Sequence, residues 1–207
     1  MDAVSVMVSD GIAFSRTLVG LVTRPYETYR RIVTHGKAGE LVFIGVLLSA
    51  YFSLASLVKV AAFRPFLLTQ HFLLLAMGVV SGTFISTCCI VIAGRMLKLS
   101  VSFERIFLAW SYTLIPTVLW FFATSLLFVL LPPPRTTSVA GMAFSLLFLV
   151  FSATLLWWKV TLSYLTLRFG LKADFGKGLI VALISAPVLS VWSYFMYKAG
   201  IFKVPFL

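Results

Sequence analysis

The chain is poor in what a soluble enzyme works with. Acidic residues number 6 among 207, and charged residues of both signs make up 11%, against roughly 25% in an ordinary soluble domain. Asparagine is absent, so no N-glycosylation sequon exists. The two histidines, His35 and His71, stand alone without ligand spacing. The only cysteines, Cys88 and Cys89, are adjacent inside an apolar run. Neighbouring cysteines form only a strained bridge, so two free buried thiols are expected. Without CxxC, HExxH, a paired aspartate or a serine with histidine in mid-membrane, no enzyme, metal or cofactor is expected.

Apolar residues are what the chain has instead. They make up 61%, and the mean hydropathy is +1.06. A soluble domain of this size leaves too much surface exposed to hide that content. The composition predicts an all-α integral membrane protein. Five runs reach the roughly 20 residues that cross a bilayer, at about 41–58, 72–93, 106–131, 139–158 and 179–197. They are continuous rather than alternating, hence helices and not barrel strands. This divides the chain into a cytoplasmic or interfacial segment, 1–39, and a five-helix transmembrane domain, 40–207.

The net charge of +11 in a soluble protein would suggest nucleic acid. No basic block interleaved with aromatics occurs here, so no nucleic-acid partner is expected. The basic residues instead flank the spans. With the N-terminus inside, every Lys and Arg except Lys59, Arg64, Arg135, Lys198 and Lys203 falls on the cytoplasmic side. The C-terminus is then outside. Arg24, Arg30, Arg31, Arg95, Lys98, Lys159, Lys172 and Lys177 are expected at lipid head groups. Lys159 follows the anchor pair Trp157-Trp158 and is expected to snorkel to the cytoplasmic surface. Met1 to Asp10 lack a positive n-region and a cleavage site, so the first span is expected to be its own insertion signal.

The segment before the first span predicts two short helices. At about 100° per residue, Val4, Met7, Val8, Ile12, Phe14, Leu18, Val19, Leu21 and Val22 share half a wheel. Ser5, Ser9, Asp10, Arg16 and Thr17 take the other half. Such a helix either lies in the cytoplasmic leaflet or packs on the cytoplasmic face of the bundle. A second helix starts at Pro25, whose fixed φ suits the first helical position, and ends at Gly36 and Gly39.

Inside the spans, small residues recur every four positions. Gly45, Ser49 and Ser53 lie on the first, and Gly78, Gly82 and Ser86 on the second. Small residues let helix backbones approach in lipid, so the two stripes are expected to form packing seams, within the chain or in a dimer. Pro116 and Pro187 are expected to kink the third and fifth spans. The kinks either shape the bundle or open a cavity for a lipid or a partner helix. Pro132–Pro134 predicts a stiff outside corner. No Asp, Glu or Arg lies within a span, which speaks against an ion or proton pathway.

Two short motifs complete the pattern. Arg24-Pro25-Tyr26-Glu27-Thr28-Tyr29-Arg30-Arg31-Ile32 precedes the first span, and Trp110-Ser111-Tyr112-Thr113-Leu114-Ile115-Pro116 lies in the third. With these motifs and five spans, the chain resembles the Yip1 domain family over most of its length. The Asp-Leu-Tyr-Gly-Pro signature of the eukaryotic branch is missing, so GTPase binding is not carried over. The resemblance implies a five-span protein of the bacterial inner membrane with a cytoplasmic N-terminus. Three roles follow for testing: a non-enzymatic adaptor or membrane organiser, an accessory subunit of a lipid or ABC-type transport complex, and an autonomous transporter. The last is disfavoured by the lack of intramembrane charge. The expected partners are membrane lipids and another integral membrane protein or a second copy.

Overall fold

The computed structural model describes residues 3–59, 64–130 and 139–200. The proline corner, Arg135 and Lys203 fall outside the described residues. Every regular element among them is a helix: α1 (Ala3–Thr23), α2 (Pro25–His35), α3 (Glu40–Lys59), α4 (Pro65–Met96), α5 (Phe103–Tyr112), α6 (Leu114–Leu130), α7 (Val139–Gly170) and α8 (Phe175–Lys198). Among the described residues six segments are long and apolar enough to cross a membrane. Five of them overlap the five expected runs. The sixth, Ser5–Thr23, has the lowest hydropathy of the six, 1.3.

Local chemistry accounts for the boundaries. Pro25 and Pro65 each open a helix, where a missing N–H costs nothing. Pro65 starts α4 seven residues before the apolar run that marks the second span. Its 32 residues reach about 48 Å, well beyond the roughly 30 Å of the 20-residue α3. The expected third span is divided at Thr113 into α5 and α6. Pro116 has no N–H to offer the Tyr112 carbonyl, and its ring crowds that carbonyl. The Thr113 N–H turns instead to Trp110 O at 2.9 Å, leaving Ala109 O without its usual donor. Pro187 has a milder result, since α8 continues through it as one helix.

Three cores hold the bundle. The first joins Leu21 of α1, Tyr29, Ile32 and Val33 of α2, Ile44 of α3, Leu108 and Tyr112 of α5, and Leu162 and Leu165 of α7. The second joins Ile90 and Val91 of α4, Ile106 of α5, Leu167 of α7 and Val181 of α8. The third joins Tyr51 and Phe52 of α3, Leu75 of α4 and Val118 of α6. The first core ties α1 and α2 to the other helices, so they are part of one packed body.

Candidate functional site

The two motifs of the sequence meet each other. Tyr29 of α2 is fully buried, and its hydroxyl donates to Ala109 O at 3.3 Å. Thr166 Oγ1 of α7 lies 3.4 Å from the same carbonyl. The carbonyl freed by the Pro116 break is thus recovered by Tyr29 of α2, while the one Thr166 proton has a closer acceptor in Leu162 O at 3.0 Å. Burial raises the Tyr29 phenol above its ordinary pKa, with the Thr166 hydrogen bond a smaller opposing effect.

One layer further out is a polar cluster at the start of α3. The Glu40 side chain accepts a hydrogen bond from the Lys37 N–H at 3.1 Å, which holds the turn leading into α3. Its other oxygen accepts a hydrogen bond from the Tyr112 hydroxyl. Thr17 Oγ1 lies 3.3 Å from that oxygen and 2.8 Å from Ala13 O, with one proton for the two. Arg31 Nη2 donates to Thr17 Oγ1 at 3.3 Å. Beside it, Lys37 Nζ sits 3.1 Å from Asp10 Oδ1, an ion pair by distance rather than a directional hydrogen bond. Asp10 also presses on Gly39, where any Cβ would collide with the carboxylate. Glu40 is only 3% exposed and Asp10 7%. A cavity of about 250 Å³ opens above Glu40, with Arg16, Arg31, His35 and Lys37 at its rim.

These contacts revise the reading of α1. Asp10 and Thr17 stand on the wheel half expected to be polar and outward, yet they face the protein. The reason is the buried carboxylate of Glu40 and the cation of Lys37, which require polar partners. The apolar half divides: Phe14 stacks on Phe43 and Tyr112, and Leu21 joins the first core. Val8, Ile12, Val19 and Val22 remain exposed, Ile12 by 65% and Val19 by 64%. Gly11 and Gly20 weaken α1 as an isolated helix, but here they admit Phe43 and Thr28 respectively.

The paired stripes do not form a seam together. Gly78, Gly82 and Ser86 are buried, and Gly82 faces Trp192 of α8, whose ring would stand 2.7 Å from an added Cβ. Gly45, Ser49 and Ser53 are exposed, with nothing within 4 Å of a Cβ at Gly45. The expected internal seam between α3 and α4 is therefore absent. α3 turns its aromatic face, Tyr51 and Phe52, toward α4 and α6 instead.

The basic residues fall into two groups. Arg24, Arg30, Arg95, Lys98, Lys172 and Lys177 are exposed. Arg24 pairs with Glu27 at 3.6 Å. Arg31 is half-buried in the polar cluster. Lys159 is half-buried, and its ammonium has a partner inside the protein. Its Nζ donates to Thr117 Oγ1 at 2.9 Å, across the α6–α7 interface. The break at Pro116 opens a groove of about 290 Å³ there, and the Thr117 hydroxyl is the acceptor within reach.

Residue types alone did not flag Glu40 or Asp10, which read as acids bounding a span. Their signal was the glycines around them, Gly36 and Gly39, and the threonine one helical face away at Thr17. Among the described residues no group of three His, Cys, Asp or Glu could hold a metal ion. No family model, curated protein or solved structure matches the chain.

Proposed function

We propose that the chain is a non-enzymatic adaptor or organiser of the bacterial inner membrane, of the Yip1 type that its two motifs resemble. Five helices (α3, α4, α5 with α6, α7 and α8) cross the bilayer in this reading. α1 and α2 lie at the cytoplasmic face, and the C-terminus is outside. The observation that carries the reading is α1. Asp10, Gly11, Phe14 and Thr17 span two turns, yet they meet Lys37, Gly39, Glu40 and Phe43 at one end of α3. A helix crossing the membrane beside α3 would meet successive turns along it. α1 thus crosses the end of α3, latched by buried polar contacts, and presents Val8, Ile12, Val19 and Val22 outward. Such a stripe suits a partner helix or the leaflet. The exposed cations at the same end suit anionic head groups.

Photo-crosslinking from Ile12 and Val19 in whole cells tests this. A discrete protein adduct from Val19 that is lost when Ile12→Glu is introduced supports an adaptor. Adducts to lipid alone at both positions overturn it and leave an interfacial anchor. Cysteine labelling at Val6 and Tyr197 tests the topology: labelling of Val6→Cys from outside the cell contradicts a cytoplasmic α1. A second reading, an accessory subunit of a lipid or ABC-type transport complex, is favoured by the groove at Pro116. It requires stoichiometric co-purification of an ATPase or permease.

A further inference from the structure

Between α6 and α7 lies an apolar groove with one cation in its lining. Its wall includes Pro116, Trp120 and Leu156, and its only cation is Lys159. Trp120 Nε1 donates to Ser152 Oγ at 2.7 Å, so these two lining polar groups satisfy one another. Leu149 and Leu156 on the rim are 66% and 47% exposed, so the groove opens sideways toward the membrane rather than toward water.

Lys159 carries three N–H donors. One is held by Thr117, and the other two have no partner among the described residues. Among the described residues no carboxylate stands opposite. Asp10 is held by Lys37, Glu27 by Arg24 and Glu40 by Tyr112. Glu104 and Asp174 are exposed at the first turn of α5 and the cap of α8. The level in the membrane matters too. Tyr112 touches Glu40, where α3 begins, and Thr117 follows five residues on, about 7 Å further along the helix axis. Lys159 therefore sits about one turn inside the start of the spans. A cation there with no counter-charge is costly, and proteins meet that cost with an anion or a polar path.

We propose that this groove binds an anionic amphiphile, its phosphate or carboxylate against Lys159 and its chain along Trp120 and Leu156. The volume of about 290 Å³ is at the small end of ligand pockets, so the groove takes the head-proximal part and the rest of the chain stays in the bilayer. The site uses neither the outward stripe of α1 nor its polar latch, so it stands whether or not the adaptor reading does.

The test uses the full chain, delipidated in mild detergent and offered equimolar phosphatidylglycerol, phosphatidylcholine and oleate, with retained lipid counted by native mass spectrometry. The expected result is retention of an anionic lipid on the order of five- to tenfold above phosphatidylcholine. Lys159→Gln brings anionic retention down to the phosphatidylcholine level, and Lys159→Arg keeps it. Retention of phosphatidylglycerol alone identifies a phosphodiester head, and of oleate alone a free carboxylate. Retention of both shows that negative charge is the sole requirement. Ala153→Trp, at an exposed lining position, keeps the cation but fills the groove, and it abolishes retention. Equal retention of all three lipids by the parent protein overturns the proposal. So does an anionic preference that survives Lys159→Gln or, should that variant not fold, survives Ala153→Trp.

Discussion

Two stripes of identical spacing have opposite fates in this molecule. On α4, Gly78, Gly82 and Ser86 are buried, and Trp192 of α8 lies directly over Gly82. On α3, Gly45, Ser49 and Ser53 face outward with no neighbour at Gly45. The comparison teaches that small residues permit close approach without compelling it. What differs is the set of larger side chains that each helix carries. On α3, Tyr51 stacks on Phe121 and Phe52 meets Phe72 edge-on. Such aromatic contacts bury far more area than glycine and serine do, so they take the inside and rotate the small stripe out. α4 carries Met77, Val80 and Phe84 on its other side, and these face outward, exposed by 54% or more.

Substitution at the two stripes breaks the comparison most sharply. Gly82→Leu drives a side chain into the Trp192 ring and is expected to destabilise by about 1–3 kcal/mol or more. Its measure is the midpoint of unfolding in a mixed-micelle SDS titration. A Gly82→Leu chain as stable as the parent would show that the α4–α8 contact is misplaced.

The polar latch gives the next effect. Tyr112→Phe leaves the Glu40 carboxylate short of one buried donor, at an expected cost of about 1–3 kcal/mol. The same change also frees α1, so proteolysis within residues 3–23 should quicken. Unaltered cleavage there would mean that α1 is held by its apolar contacts alone.

Tyr29→Phe removes one neutral hydrogen bond to Ala109 O, an expected loss of about 0.5–1.5 kcal/mol. It also has a pH signature. The folded phenol titrates above its unfolded value, so Tyr29 contributes stability that is complete below the ordinary tyrosine range and lost as pH climbs through and beyond it. The parent chain should therefore lose stability more steeply above pH ~10 than Tyr29→Phe does. Parallel curves for the two would place the phenol in water.

The smallest effect is at the outward stripe. Gly45→Leu should change the stability of the single chain by less than about 0.5 kcal/mol. If it instead lowers the dimer fraction in a dilution series, the stripe is a seam between copies, and the contrast with α4 is one of partner rather than of use.

Much of the architecture could be read from residue order. The apolar runs marked the long helices, and Pro25, Gly36 and Pro116 marked a start, a stop and the α5–α6 break. The hydrogen bond from Tyr29 to Ala109 O was not legible, because 80 residues separate its ends. Glu40 looked like an acid before a span, and its burial depends on Tyr112 and Thr17 arriving from two other helices. Lys159 looked like an anchor next to two tryptophans, and a hydroxyl on α6 drew it the other way.

By itself, the sequence determined the helical class, the presence of long apolar segments, and the break near Pro116. Each of these follows from neighbours along the chain: hydropathy summed over a window, a missing N–H, a ring against a carbonyl. The tertiary structure alone decided which way each helix is turned about its axis. That rotation set Gly82 under Trp192 and Gly45 toward the outside, turned Asp10 and Thr17 inward, and brought Lys159 into the groove. It rests on contacts between residues far apart in sequence, and no window along the chain contains both partners of such a contact.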